Sequence, residues 1–251
     1  HVPCRPMAAD TTLAGNEIAV WWMATDAIGP ADLQRWLGIL DKEERERAAR
    51  FYFEMDRREF IAAHTLLRAM LAFYLDRPAH QWQFISDAEG KPRIDPRNGA
   101  GDYPFSLSHT RGLVAAALAA DGAVGIDVEH IDPRKADFAM AEAYFAPAEV
   151  RLLQASPTSE RNLCFFRLWT LKEAYVKATG TGLSTPLKSF AFTFEPIRIQ
   201  FEADATEREA EWQFAILPAT DQHVLSVAAG HHARTVRMSP RAVVPQGLVV
   251  S

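Results

Sequence analysis

The chain has 251 residues, of which 48% are hydrophobic and 24% charged, a composition typical of a globular protein rather than of a disordered or membrane-embedded one. Its 27 basic and 32 acidic residues give a net charge of −5, which argues against a nucleic-acid partner. Two cysteines are too few for a disulfide framework, and without a long apolar run or a signal-peptide pattern we expect a cytoplasmic protein with no membrane partner.

Hydrophobic periodicity divides the chain into short strands and amphipathic helices. Residues 1–16 are small and polar, and we expect them to be disordered. In the first half, the pattern predicts a strand over 18–23, helices over 31–40, 41–53 and 56–75, a strand over 82–85 and an apolar strand–turn–strand over 105–120. In the second half, it predicts a strand over 124–128, helices over 138–144, 148–154 and 160–179, a strand over 189–194, a loop over 203–211 and a hairpin formed by 212–217 and 223–229. The C-terminal residues carry no clear pattern.

The two halves resemble each other in the order of their predicted elements. Each contains a long helix, a following strand and an apolar hairpin that ends in alanine-rich sequence. This order indicates an internal duplication, with one half over residues 16–120 and the other over 121–240. We therefore expect a fold of the α+β (α/β) class, built from two similar halves related by a pseudo-twofold axis, with a ligand cleft between them.

Two features of the first half, the charged run and a histidine of the long helix after it, need an interpretation. The run over 41–53 interleaves arginines with acids, which is typical of a solvated face held by pairs four residues apart. His64 lies beside the apolar stripe of the 56–75 helix, where a packed core histidine is the ordinary expectation.

The strand Gly-Ile-Asp-Val-Glu at 125–129 places two carboxylates side by side. Alternation puts Asp127 and Glu129 on one face of the strand, where they repel each other unless a cation lies between them. Oxygen ligands favour a hard ion such as Mg²⁺, and Glu173 could supply a third oxygen. An exposed strand end would explain the same two acids without any metal.

The helix over 160–179 carries the other charged group of interest. Glu173 and Lys177 are four residues apart and share a face, either paired with each other or directed toward one ligand. Lys172 lies on a different face, where phosphate and solvent are both open to it. Thr158 or Ser159 is the expected N-cap, and Gly180 is expected to end the helix.

Taken together, these motifs resemble the 4′-phosphopantetheinyl transferase superfamily. The resemblance rests on Gly-Ile-Asp-Val-Glu at 125–129 followed by Trp-Thr-Leu-Lys-Glu-Ala-Tyr-Val-Lys-Ala at 169–178. The Gly-Lys-Pro at 90–92 and Phe-Ser-Leu-Ser-His at 105–109 are similar to those of the larger, Sfp-like members, which act as pseudo-dimeric monomers. The resemblance implies the 4′-phosphopantetheinyl transferase fold and a monomeric chain.

The resemblance also implies a reaction and a set of site residues. A serine of an apo acyl or peptidyl carrier protein would attack coenzyme A, releasing adenosine 3′,5′-bisphosphate. By similarity, Asp127, Glu129 and Glu173 hold Mg²⁺, Glu173 is the candidate base, and Lys177 contacts the transferred phosphate. The remaining residues implied to bind coenzyme A are Arg47, Lys91, Ser108 and His109.

Two other functions fit the sequence less well. A catalytically idle module that binds carrier proteins would not need three acids and a lysine in one site. A kinase would need a glycine-rich loop that opens a helix, whereas Gly180 and Gly182 follow one. For the carrier itself, we expect a docking surface over residues 133–145 and near Leu152, with Phe145 and Leu152 in contact with it.

Overall fold

The computed structural model describes residues 12–88, 90–201, 208–231 and 235–248. Within these residues, the helices are α1 (Pro30–Leu37), α2 (Lys42–Ala49), α3 (Glu54–Leu75), α4 (Phe138–Tyr144), α5 (Pro147–Ala155) and α6 (Thr158–Thr179). The strands are β1 (Glu17–Ala24), β2 (Phe84–Ser86), β3 (Pro92–Ile94), β4 (Phe105–Thr110), β5 (Leu113–Ala119), β6 (Ala123–His130), β7 (Phe190–Thr193), β8 (Arg198–Phe201), β9 (Trp212–Thr220), β10 (His223–Gly230) and β11 (Arg237–Val243).

The same order of elements occurs twice along the chain. The first series is β1, α3, the β2–β3 hairpin, β4 and β5, and the second is β6, α6, the β7–β8 hairpin, β9 and β10. In the sheets, β5 lies between β1 and β4, just as β10 lies between β6 and β9. The helices α3 and α6 each contain 22 residues. This repetition is the topology that an internal duplication predicts.

The two sheets pack face to face through small and branched apolar side chains. All seven residues of β5 are buried, because one face of the strand meets α3 and the other meets the second sheet. On the face of β5 that meets the second sheet, Ala115, Ala117 and Ala119 belong to the same core cluster as Ile126 and Val227 of that sheet. Their small volume lets the strands of the two halves approach each other closely.

The C-terminal segment forms a strand that the sequence pattern does not reveal. β11 pairs in parallel with β1 and forms an edge of the first sheet. Its sequence, Arg-Met-Ser-Pro-Arg-Ala-Val, is mostly polar and half-exposed to exposed, so it lacks the alternation of a buried strand. Pro240 is tolerated there because an edge strand does not need every backbone N–H.

Several predicted boundaries need correction. α1 ends at Leu37 instead of residue 40, and α2 ends at Ala49 instead of residue 53. The N-cap of α6 is Pro157, so Thr158 is already helical, whereas Gly180 ends this helix in the left-handed conformation as expected. The expectation of disorder over residues 1–16 lies outside the described residues for 1–11, and it is wrong for 12–16, where Leu13 is buried in the first core. The expected loop over 203–211 is described only from 208 onward. Among the described residues, none of the helices combines the length and hydrophobicity that a membrane crossing requires.

Candidate active site

The position of α6 over the second sheet depends on a glycine. α6 crosses β6 at Gly125, where an added Cβ would lie 1.9 Å from the carbonyl oxygen of Ala174 and 2.5 Å from the amide nitrogen of Ala178. Only a residue without a side chain allows this approach of backbone to backbone. The contact brings the helix turn that carries Glu173 and Lys177 onto the strand that carries Asp127.

Hydroxyl groups join β4 of the first half to β6 of the second half. The backbone N–H of Ile126 donates to Ser106 Oγ at 3.1 Å, and the N–H of Val128 donates to Ser108 Oγ at 3.2 Å. The N–H of His130 donates in the same way to the hydroxyl of Thr110 at 3.3 Å. The junction of the two halves is therefore a ladder of side-chain oxygens, and the predicted site residues lie along it.

Asp127, Ser108 and Lys177 form a hydrogen-bonded group at this junction. Lys177 Nζ lies 2.6 Å from Asp127 Oδ1 and donates to Ser108 Oγ at 3.1 Å, while the Ser108 hydroxyl donates to Asp127 Oδ1 at 2.9 Å. The other oxygen, Asp127 Oδ2, is buried and has no hydrogen-bond partner among the residues that the structure describes. A buried carboxylate oxygen without a partner is costly, and a cation is the ligand that it fits.

Burial and the neighbouring Asp127 make it unfavourable for Glu129 and Glu173 to carry a negative charge. Burial, and then the charge of Asp127, raise the pKa of Glu129 to about 7. Burial, and then Asp127, also raise the pKa of Glu173 above its ordinary value. In the described part of the chain, no three carboxylate, histidine or cysteine side chains are drawn together into a metal-ligand cluster. The donor set, all oxygen and electrostatically strained, is nevertheless that of a hard divalent cation.

Two basic side chains of the first half, Arg47 and His64, act on His109 together with Lys177 of the second half. The pKa of His109 is lowered by partial desolvation and then by the charges of Lys177, His64 and Arg47, so these cations lie close enough to be felt at the His109 ring. Arg47 is exposed and lies over the ring of Phe60 at 5.3 Å, and it lines a 240 Å³ cavity together with His64. Arg47 and His64 thus line one cavity on the first half.

His64 and the charged run before it differ from the sequence interpretation. His64 is partly exposed, and its Nδ1 lies 2.8 Å from Glu44 Oε1, so it is not a packed core histidine. Glu44 is itself buried and paired at 2.6 Å with the fully buried Arg68; together with His64, this pairing holds the pKa of Glu44 at about 2 although burial alone would raise it. The run is therefore a solvated face only in part.

Lys91 lies at the same junction, but its side chain is hydrogen-bonded to the backbone instead of to an acid. Its Nζ donates to the carbonyl oxygen of Ala178 at 3.0 Å, near the C-terminus of α6, and desolvation lowers its pKa. The side chain lines a groove of about 600 Å³ that also reaches Tyr144, Glu173 and Lys177. Lys91 thus borders the site, and among the described contacts it forms no salt bridge within this groove.

Lys172 was expected to contact either phosphate or solvent, and its complete burial shows that it does not contact solvent. Its fully buried Nζ lies 2.8 Å from Glu149 Oε2 and donates to the carbonyl oxygens of Leu187 and Phe190 at 2.7 Å each. Burial lowers the pKa of Lys172 and raises that of Glu149. Glu149 is not among the residues predicted to be important, although Pro147 followed by Glu149 at the third helical position is a recognisable helix start.

Of the two residues expected to contact a carrier protein, Leu152 is exposed and Phe145 is buried. Phe145 is only 1% exposed and packs against Phe165, so the expectation that it contacts a carrier protein is wrong. Leu152 is 37% exposed and Tyr144 is 47% exposed.

Comparison with known proteins places this site in a family. A model of the 4′-phosphopantetheinyl transferase superfamily matches residues 123–228, and a model of the 4′-phosphopantetheinyl transferase N-terminal region matches residues 26–121. The chain is 32% identical over 223 residues to the 4′-phosphopantetheinyl transferase HetI of Nostoc sp., a match that covers 89% of this chain and 92% of HetI. It is 30% identical over 215 residues to a phosphopantetheinyl transferase of Thraustochytrium sp., covering 80% and 74% of the two chains.

Two further similarities are more limited. The 4′-phosphopantetheinyl transferase Sfp of Bacillus subtilis is 29% identical over 158 residues, covering 63% of this chain and 68% of Sfp. The solved structure of Thermotoga maritima holo-[acyl-carrier-protein] synthase is similar over 43% of this chain and 62% of its own, at 20% identity and a TM-score of 0.36. Because the match to HetI extends over most of both chains, this chain belongs to the 4′-phosphopantetheinyl transferase superfamily, and the expected fold and enzyme class are confirmed.

Proposed function

We propose that this enzyme transfers the 4′-phosphopantetheine moiety of coenzyme A to a serine of an apo acyl or peptidyl carrier protein, in a Mg²⁺-dependent reaction that releases adenosine 3′,5′-bisphosphate. The observation that carries the proposal is the buried, unpartnered Asp127 Oδ2 beside Lys177, at the junction where Glu129 and Glu173 carry raised pKa values. Strained carboxylates next to a lysine are suited to a cation and a phosphate group together.

The residues of the site divide into three roles in this proposal. Asp127, Glu129 and Glu173 would hold Mg²⁺, which would neutralise the charge that develops on the oxygen leaving with adenosine 3′,5′-bisphosphate. Lys177 contacts the phosphate that is transferred and stabilises its transition state as a point charge. The residues proposed to bind coenzyme A are Arg47, His64, Lys91, His109 and Lys177, and Ser108 would join them only in exchange for one of its present hydrogen-bond partners.

The transfer itself is a displacement at phosphorus. The serine oxygen forms a bond to the phosphorus on the pantetheine side, and the bond from that phosphorus to the bridging oxygen breaks. The leaving oxygen keeps the electron pair of that bond, and the serine proton passes to Glu173, directly or through one water. Burial, and then the charge of Asp127, raise the pKa of Glu173 in the metal-free protein, which makes its carboxylate a stronger base than an ordinary glutamate. A carboxylate bound to a metal is a weaker base, which favours the path through water.

The two halves of the site lie on one chain, and we propose that the enzyme acts as a monomer. β4 carries Ser108 and His109 from the first half, and β6 and α6 carry the acids and Lys177 from the second half. On this basis the division at residue 121 separates a coenzyme A half, 16–120, from a metal and catalytic half, 121–240. Since coenzyme A and apo carrier proteins are intracellular, we place the reaction in the cytoplasm.

The test is intact-protein mass spectrometry of an apo carrier domain incubated with this protein, coenzyme A and Mg²⁺. We expect a mass gain of one phosphopantetheine, which EDTA and Glu173→Gln abolish. Glu160→Gln is the matched control, because Glu160 is an exposed acid in the first turn of the same helix. No gain with any of several carriers, while coenzyme A and carrier still bind, would instead support a catalytically idle binding module.

A further inference from the structure

The hydroxyls of β4 are in register with the acids of β6. Ser108 Oγ accepts from the N–H of Val128 and donates to Asp127, the residue just before Val128. Thr110 Oγ1 accepts from the N–H of His130 and contacts Glu129 Oε2 at 3.4 Å, again the residue just before. The same two-bond arrangement therefore occurs twice, once for each carboxylate.

The next position along the ladder lacks an acid. Ser106 Oγ accepts from the N–H of Ile126 in the same manner, but the residue before Ile126 is Gly125, which has no side chain to orient. The bond between hydroxyl and backbone thus exists with and without a carboxylate. The bond between hydroxyl and carboxylate occurs only at the two positions of this ladder that carry the acids.

Ser108 has no hydrogen-bonding capacity left over. A hydroxyl has one donor and two acceptor positions, and those of Ser108 are used by Asp127, Val128 and Lys177. A phosphate could bind this hydroxyl only by displacing one of these partners. Thr110 is half-buried, and its longer contact with Glu129 marks a weaker bond, so its effect is on orientation more than on stability.

We propose that Ser108 and Thr110 are positioning residues, whose hydroxyls on β4 orient the carboxylates of Asp127 and Glu129 on β6 toward the divalent cation. The inference rests on the proposed function, because it needs the acids to be metal ligands. Both halves of the chain then contribute to one metal site, since the second half supplies the ligands and the first half fixes their direction. Such outer partners commonly change metal affinity by 10–100-fold.

Thr110 gives the cleaner test, because Ser108 also contacts Lys177. The probe is Mn²⁺, a spectroscopic substitute for Mg²⁺, whose free concentration is read by electron paramagnetic resonance with coenzyme A present and corrected for the Mn²⁺ that coenzyme A binds alone. Thr110→Val keeps the shape of the side chain and removes the hydroxyl. We expect it to weaken Mn²⁺ binding about 10-fold or more, and Thr110→Ser to restore it.

Ser106→Ala is the matched control, because it removes the same kind of bond between β4 and β6 where no carboxylate is present. We expect its Mn²⁺ affinity to stay close to that of the unaltered protein. In a Glu129→Gln background, Thr110→Val should have no additional effect, since the hydroxyl would then have no ligand to orient. Melting temperatures of all variants identify any change that is only structural.

Three results would overturn the inference. Mn²⁺ affinity of Thr110→Val equal to that of the unaltered protein would do so and leave the proposed function standing. Equal losses in Thr110→Val and Ser106→Ala would do so as well, because the effect would then belong to the junction in general. An unaltered protein that binds no Mn²⁺ and transfers nothing would overturn both proposals together.

Discussion

Gly125 on β6 lies directly against Ala174 on α6, with room for no side chain between the two backbones. An alanine at position 125 places its Cβ within 1.9 Å of the Ala174 carbonyl oxygen, so helix and strand must separate. We expect Gly125→Ala to lower the free energy of unfolding by about 3 kcal/mol, at the upper end of overpacking costs, and to lower transfer activity with it. Urea denaturation measures the first effect.

Gly15→Ala is the control for this substitution, since an added Cβ at Gly15 meets no atom of the described part of the chain within 4 Å. It should leave both quantities close to those of the unaltered protein. A Gly125→Ala protein of unchanged stability and activity would show that α6 is not held by this approach.

Local rules predicted the parts of the site that depend on one element. The pleat of β6 predicts that Asp127 and Glu129 share one face of the strand, and the helical repeat predicts that Glu173 and Lys177 share one face of α6. Gly180 ends α6 as expected. Each of these follows from spacing alone, because the neighbours concerned are a few residues apart.

Contacts between residues far apart in the sequence could not be predicted from local spacing. β11 pairs with β1 across more than two hundred residues, and nothing in its polar sequence indicates that partner. The buried pair of Lys172 and Glu149 likewise depends on how α5 and α6 pack, which no periodicity records. The pairing of Glu44 on α2 with the buried Arg68 on α3 also depends on how two helices pack, so the charge pattern of the run over 41–53 does not indicate it.

The buried ion pair offers a test of whether Lys172 supports the fold or the substrate. Removing one partner leaves the other charge buried and unpaired, so Lys172→Met should cost about 3–5 kcal/mol of unfolding free energy, and Glu149→Leu a similar amount. The double variant should recover much of this loss, because no charge remains to be buried. A urea denaturation cycle of the four proteins measures the coupling. Unchanged stability together with a raised KM for coenzyme A would instead indicate a phosphate contact.

The raised pKa of Glu129 predicts how the metal-free protein responds to pH. In the folded protein this carboxyl keeps its proton up to about pH 7, whereas its ordinary value is 4.5. The folded state therefore binds more protons than the unfolded state between these values, and its stability falls as pH rises from 4.5 to about 7. We expect this group to account for about 1–3 kcal/mol of that fall.

Glu129→Gln removes the titration and separates its contribution from others. In EDTA, the variant should lose part of the pH dependence and be more stable than the unaltered protein above pH 7. Added Mg²⁺ should reverse that order, because a cation stabilises only the protein that keeps the carboxylate. Thermal unfolding across the pH range gives both comparisons, and parallel curves for the two proteins would contradict the expectation.

Arg47 and His64 of the first half predict that the enzyme distinguishes coenzyme A from 3′-dephospho-coenzyme A. If Arg47 and His64 bind the 3′-phosphate of coenzyme A, then Arg47→Gln and His64→Gln should each raise the KM for coenzyme A about 10-fold, the worth of one charge-assisted hydrogen bond. The KM for 3′-dephospho-coenzyme A should not change. Arg35→Gln is the control, because Arg35 on α1 is paired with Asp32. A rise that is equal for the two nucleotides would place the 3′-phosphate elsewhere.

The exposed end of α5 predicts where the carrier protein binds. Leu152 is exposed beside the exposed Arg151, a pairing suited to the acidic surface that carrier proteins of this kind generally present. Leu152→Ala should raise the KM for the carrier several-fold and leave that for coenzyme A unchanged, whereas Val244→Ala, at an exposed aliphatic residue after β11, should change neither. Phe145→Ala should instead lower stability by about 3–5 kcal/mol, since its ring is buried. Equal effects of Leu152→Ala on both substrates would assign Leu152 to the fold of the site and not to docking.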